Sequence, residues 1–154
     1  MIDFVINQLC NFTGRNDIKL KYDNCLHIPA LSLNMNNESI IVVNKNLIPN
    51  NVPVIAHILS HEYGHHIYGH TYINPQLLNK STIDNFENEA DYHAHRFINE
   101  YHYDKSAIVR YLYLTKSPNL NTRLDILYGN YSVIQDFLRR NPNLDYMLKS
   151  KLMN

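Results

Sequence analysis

Apolar positions at the start of the chain recur at helical spacing: Ile2, Val5, Ile6 and Leu9 share one face, and Gly14 sits where such a helix would end. The spacing predicts a short amphipathic helix whose stripe is core. The period then changes. In IKLKY, Ile18, Leu20 and Tyr22 alternate with Lys19 and Lys21, which predicts a half-buried strand. The apolar run SIIVV after the turn-rich NMNNES predicts a more buried strand. A third strand is expected near residues 31–33, giving a small sheet of about three strands.

From there the pattern turns helical. Pro53 suits a first helical turn, and Val54, Ile55, Ile58 and Leu59 give the segment to about Tyr68 an apolar face, with Gly69 as its stop. A second helix is expected to open at STID, capped by Ser81 or Thr82, with Phe86, Ala90, His93 and Phe97 on one side. Three shorter helices, starting near Lys105, Asn121 and Ser132, fill the remainder and are punctuated by SPN, YGN and NPN. No repeat, low-complexity tract or long linker divides the sequence. The expectation is a single α+β domain over residues 1–154, mostly helical, with 104–154 as a helical C-terminal part.

Composition narrows the partners. The chain has 154 residues, the size of one domain with a sizeable core. Lys plus Arg and Asp plus Glu both total 14, so no basic stripe predicts direct contact with nucleic acid or an anionic membrane. MIDFVINQLCNF lacks the basic n-region and apolar h-region of a secretion signal. SIIVV and PVIAHIL fall far short of the roughly 20 residues a membrane-spanning helix needs. Cys10 and Cys25 form no CxxC and are expected to be two buried, reduced thiols, which favours a cytoplasmic location.

Candidate chemistry concentrates in HILSHEYGHHIYGH, where five of the nine histidines fall between His57 and His70. Within it His61, Glu62 and His65 form HExxH. Residues four apart on a helix lie one turn above each other, so both imidazoles can converge on one cation. Glu62 then lies beside that axis, placed to act as a base on an attacking water, the arrangement zinc hydrolases use. A structural zinc is usually closed by four Cys or His ligands, and both cysteines are remote in sequence. Manganese, iron and cobalt also suit a His and carboxylate donor set.

A third protein ligand must come from downstream. His70 is the weaker candidate, because the metzincin pattern requires Gly and His where this chain has Tyr68 and Thr71. Glu87, in ENEAD, is the favoured one. It shares a helix face with Asp91, so that Glu87 can coordinate while Asp91 accepts the far N–H of a ligand histidine. Glu89 lies roughly 160° to 200° away around that helix and cannot share the job. Ala90 and Ala94 would let the two helices approach closely. His57, His66 and His70 carry no assigned role, with His66 expected to face away. Single histidines such as His93 and His95 are expected to be packing or surface residues.

On these residues the chain resembles gluzincin-like zinc peptidases, and among them the ImmA/IrrE family. HEYGH, through His61, Glu62, Gly64 and His65, is similar to that family's HExGH helix, and ENEADYHA, through Glu87, Ala90, Asp91 and Ala94, to its ExxA(D/N)xxA helix. The similarity spans about residues 39–98, the expected active-site core. The chain departs from the pattern at His93 and at FINEYHY after the second helix. The resemblance implies a zincin-like fold, one Zn2+ per chain, and a cytoplasmic endopeptidase that cleaves a DNA-binding, helix-turn-helix repressor of a phage, mobile element or stress regulon. Two rival classes remain: a non-catalytic antirepressor that keeps the fold and binds without cutting, and a metal-dependent nuclease.

Overall fold

The computed structural model describes residues 1–130 together with Gln135 and Arg139. Helix α1 spans Ile2–Thr13 and ends at Gly14, which takes the left-handed conformation (φ 69°) that a residue without Cβ adopts at little cost. Its stripe is core as expected, with Val5 and Leu9 fully buried. Strands β1 (Lys19–Tyr22), β2 (Ala30–Met35) and β3 (Glu38–Val43) follow. They form a sheet in the order β1-β3-β2, with β1 parallel and β2 antiparallel to β3.

The β2–β3 hairpin is closed by Asn36 and Asn37, both at positive φ (51° and 63°). Two successive left-handed residues match the twist of the flanking strands, and asparagine tolerates that region better than most residues. The closure fixes the pairing of Ser32 with Ile41 and Leu33 with Ile40. Central β3 buries Ile40, Ile41 and Val43, the run that its continuous apolar sequence predicts. The alternation expected of β1 is incomplete. Ile18 is buried, but Tyr22 is exposed at the sheet edge, where the Lys45 ammonium lies over its ring at 4.0 Å.

Helix α2 (Val52–Ile67) is the hub, packed against the sheet, α1, α3 and α4. Asn51 caps it by accepting from the Val54 N–H, Pro53 lies in its first turn, and Gly69 reverses the chain at φ 74°. Helix α3 (Lys80–Glu100) is capped by Asn79, not by Ser81 or Thr82: the Asn79 side chain accepts from the Thr82 N–H. The preceding Pro75–Leu77 forms a 3-10 turn, so the chain enters α3 one residue before STID. Helices α4 (Lys105–Leu114) and α5 (Leu120–Leu127) occupy the expected places. Of the helix expected from Ser132, only Gln135 and Arg139 are among the described residues, and both are helical.

The architecture is α+β, with five helices and a mixed three-stranded sheet among the described residues. One buried cluster joins all these parts through Val5, Ile41, Leu59, Tyr63, Phe97 and Leu127. The cysteines depart from expectation. Both are free, but Cys25 is exposed and Cys10 only half-buried, with its Sγ 3.8 Å from the Tyr63 hydroxyl. Cys25 sits in the loop between β1 and β2, where no apolar layer covers it. Among the described residues, no helix is long and apolar enough to cross a membrane.

Candidate metal centre

Helix α2 carries HEYGH where it meets α3, and the glycine sets how close that meeting is. A Cβ built on Gly64 would stand 3.0 Å from the Ala90 Cα and 3.0 Å from the His93 Cβ. Gly64 and Ala90 thus let the two backbones approach to a distance that brings Glu87 to the histidines one turn along. The His93 ring, just beside this contact, donates from Nδ1 to the Ser60 carbonyl at 2.7 Å and ties the helices together.

His61 and His65 turn their Nε2 atoms toward each other at 3.2 Å. Glu87 closes the triangle, with Oε2 3.0 Å from His61 Nε2 and Oε1 3.5 Å from His65 Nε2. Metal–ligand bonds of about 2.0–2.1 Å in a tetrahedron place neighbouring ligand atoms about 3.3 Å apart, so these three edges have the spacing of donors around one metal ion. His61, Glu62 and His65 also each offer a ligand atom within 4.8 Å of the other two, a group that can hold a metal ion. Between the two carboxylates, Glu62 is engaged elsewhere. The Ser32 hydroxyl on β2 lies 2.6 Å from Glu62 Oε2 and 2.7 Å from the Glu62 carbonyl, holding the side chain beside the triangle.

Behind His61 stands Asp91, buried on α3, which accepts from His61 Nδ1–H at 2.8 Å. Arg123, delivered by α5, clamps the same carboxylate from Nε at 2.9 Å and from an NH2 group at 3.0 Å. His65 is supported differently. Its Nδ1 lies 2.9 Å from His70 Nδ1, and His70 Nε2 is hydrogen-bonded to Glu89.

The electrostatics follow from this arrangement. Burial alone would raise Asp91, but Arg123 and His61 outweigh it and hold the carboxyl well below the usual range. Burial opposes a charged His61, yet hydrogen bonds to Asp91 and Glu87 push it up to about 10. Burial and the neighbouring His61 charge push His65 down to about 3. Burial raises Glu62, against the opposing pull of His61 and the Ser32 hydroxyl. These shifts favour a proton on His61, held between Asp91 and Glu87. A metal cation would satisfy the same set of donors.

His61, Glu62, His65 and Glu87 open onto a cleft of about 620 Å³, lined also by Ala30, Leu31, Ser32, Leu33 and Asn34 of β2 and by Ile73, Leu78, Ile83 and Phe86. Its lining is mainly apolar, with the buried Asn34 Nδ2 lacking a hydrogen-bond partner among the described residues.

Sequence reading placed His61, Glu62, His65, Glu87 and Asp91 together, and the structure gathers all five. His66 faces away, as expected, but is buried: its Nε2 donates to the Ile40 carbonyl of β3 at 2.9 Å. His57 is buried on α2, and His95 donates to the Leu127 carbonyl at 3.1 Å. Four participants were missed. Ser32 and Arg123 reach the site from β2 and α5, and no local spacing announces them. His70 is a candidate from the sequence but not as a partner of His65, and Glu89 enters there only as a rival to Glu87. The turn at Gly69 was the available signal, because a left-handed residue there folds His70 back toward His65. Compared with protein-family models, curated proteins and solved structures, the chain finds no match.

Proposed function

We propose that this protein is a zinc-dependent endopeptidase of the ImmA/IrrE type, with His61, His65 and Glu87 as metal ligands and Glu62 as general base. The observation that carries the proposal is the triangle of two Nε2 atoms and one carboxylate at 3.0–3.5 Å, with a second carboxylate held beside it. When bound, zinc would supply Lewis acidity that acidifies a water and polarises a peptide carbonyl. Glu62, raised by burial, takes the proton from the attacking water and passes it to the leaving amine. Ser32 aims that carboxylate, and Asp91 with Arg123 holds the His61 ring so that Nε2 faces inward.

Strand β2 is an edge strand that lines the cleft, so its outward N–H and C=O groups can pair with an extended segment of substrate. Ile73, Leu78 and Ile83 favour apolar side chains there. Repressor cleavage and a cytoplasmic site of action rest on the resemblance of HEYGH and ENEAD to the family. The test is to incubate zinc-loaded protein with an unstructured peptide library and with helix-turn-helix repressors, reading fragments by mass spectrometry. Cleavage that chelation abolishes and zinc restores is expected. Binding of a repressor that stays full-length would support the antirepressor alternative instead.

A further inference from the structure

His70 and Glu89 are buried polar groups outside the ligand triangle, each only 8% exposed. The His70 ring is fixed on both its edge and its face. It stacks on Phe86 with centroids 4.0 Å apart and planes 9° from parallel, and its two nitrogens reach His65 and Glu89. A carboxylate oxygen accepts, so the proton shared with Glu89 belongs to His70 Nε2, and in the neutral ring Nδ1 is left as an acceptor. His65 must then donate from its own Nδ1 across the 2.9 Å gap. Its Nε2 keeps a free lone pair, aimed where His61 Nε2 and Glu87 converge. The other His65 tautomer would set two acceptor nitrogens against each other at Nδ1 and place a proton where a metal belongs.

We propose that His70, oriented by Glu89, is the positioning residue that fixes His65 as an Nε2 metal ligand. The two ligand histidines are thereby supported unequally, His61 by a carboxylate directly and His65 by a carboxylate acting through a second imidazole. The proposal rests on the metal-centre reading above, and its test separates the two.

Zinc affinity is measured by competition with a chromophoric chelator for the wild type, His70→Phe and Glu89→Gln. The metal-free proteins, labelled with 15N at histidine, are read for the His65 ring tautomer by long-range proton–nitrogen correlation. His70→Phe can retain a ring stacked on Phe86 but removes the acceptor. Its zinc affinity is expected to fall about 10- to 100-fold, with His65 leaving the Nδ1–H form. Glu89→Gln can present either end of its amide to His70, so a smaller loss and a mixture of tautomers are expected. This nearly isosteric variant carries the test if His70→Phe fails to fold. A wild-type His65 tautomer in the folded variants overturns the proposal. Failure of the wild type to take up zinc would overturn the metal-centre reading alone, because the tautomer comparison in metal-free protein still decides whether His70 sets His65.

Discussion

Glu62 and Glu87 are both carboxylates near the same two imidazoles, and their surroundings assign them different work. Glu62 is tied to Ser32 on β2 and raised by burial, whereas Glu87 has its side chain half exposed and is held below its ordinary range by His61 despite the opposing effect of burial. Glu62→Gln is therefore expected to keep stoichiometric zinc while peptidase turnover falls by about 10²- to 10⁴-fold, the range spanned by general bases. Elemental analysis and peptide cleavage on one preparation check both halves, and retained turnover would contradict the base assignment. Glu87→Ala is expected to weaken zinc binding more than Glu89→Gln does in the same competition titration, because Glu87 is itself a corner of the triangle and Glu89 reaches it only through His70.

At the scale of elements, the site is made by one helix crossing. Gly64 opposes the Ala90 backbone, and an added Cβ at 3.0 Å would meet main chain that cannot rotate aside. Alanine is the better helix former by about 1 kcal/mol, yet overpacking costs about 1–3 kcal/mol. Gly64→Ala is thus expected to destabilise the fold and to weaken zinc binding as α3 is pushed away from His61. Denaturant unfolding and a zinc titration on the same variant read the two effects. A more stable variant with intact zinc affinity would contradict the packing account.

The same crossing shows what was legible in the chain. HExxH and ExxAD are local patterns at helical spacing, so the proposed ligands and Asp91 are legible in the sequence directly. The α3 cap could not, because Asn79, Ser81 and Thr82 are all competent caps and the entry of the Pro75–Leu77 turn decides between them. Ser32 reaches Glu62 only because the Asn36–Asn37 turn sets the β2 register, and a one-residue slip would turn it to the other face.

At the scale of the molecule, support for the site arrives from distant parts of the chain. Arg123, 32 residues beyond Asp91, links α5 to the carboxylate that holds His61. Arg123→Met would leave Asp91 buried without its guanidinium partner, and a loss of about 3–5 kcal/mol is expected in chemical denaturation. Unchanged stability would contradict the clamp. A second long-range consequence concerns acid. Burial pushes His57 down to about 3, with Asp91 opposing and Arg123 assisting. Its folded value is thus depressed, so the stability it permits is present above the unfolded value near 6.5 and is lost as pH falls from there toward about 3. The stability of metal-free wild type is expected to fall faster than that of His57→Gln across this window, by up to about 1.4 kcal/mol per pH unit. Equal slopes in denaturant titrations at pH 6.5 and pH 4.5 would show that His57 does not titrate as described.

The most direct measurement of the central claim is anomalous diffraction at the zinc edge from crystals of zinc-loaded protein. One strong peak is expected, about 2.0–2.1 Å from His61 Nε2, His65 Nε2 and a Glu87 oxygen, with Glu62 outside the coordination sphere. A peak elsewhere, or one ligated by His70 or Glu62 in place of Glu87, would contradict it.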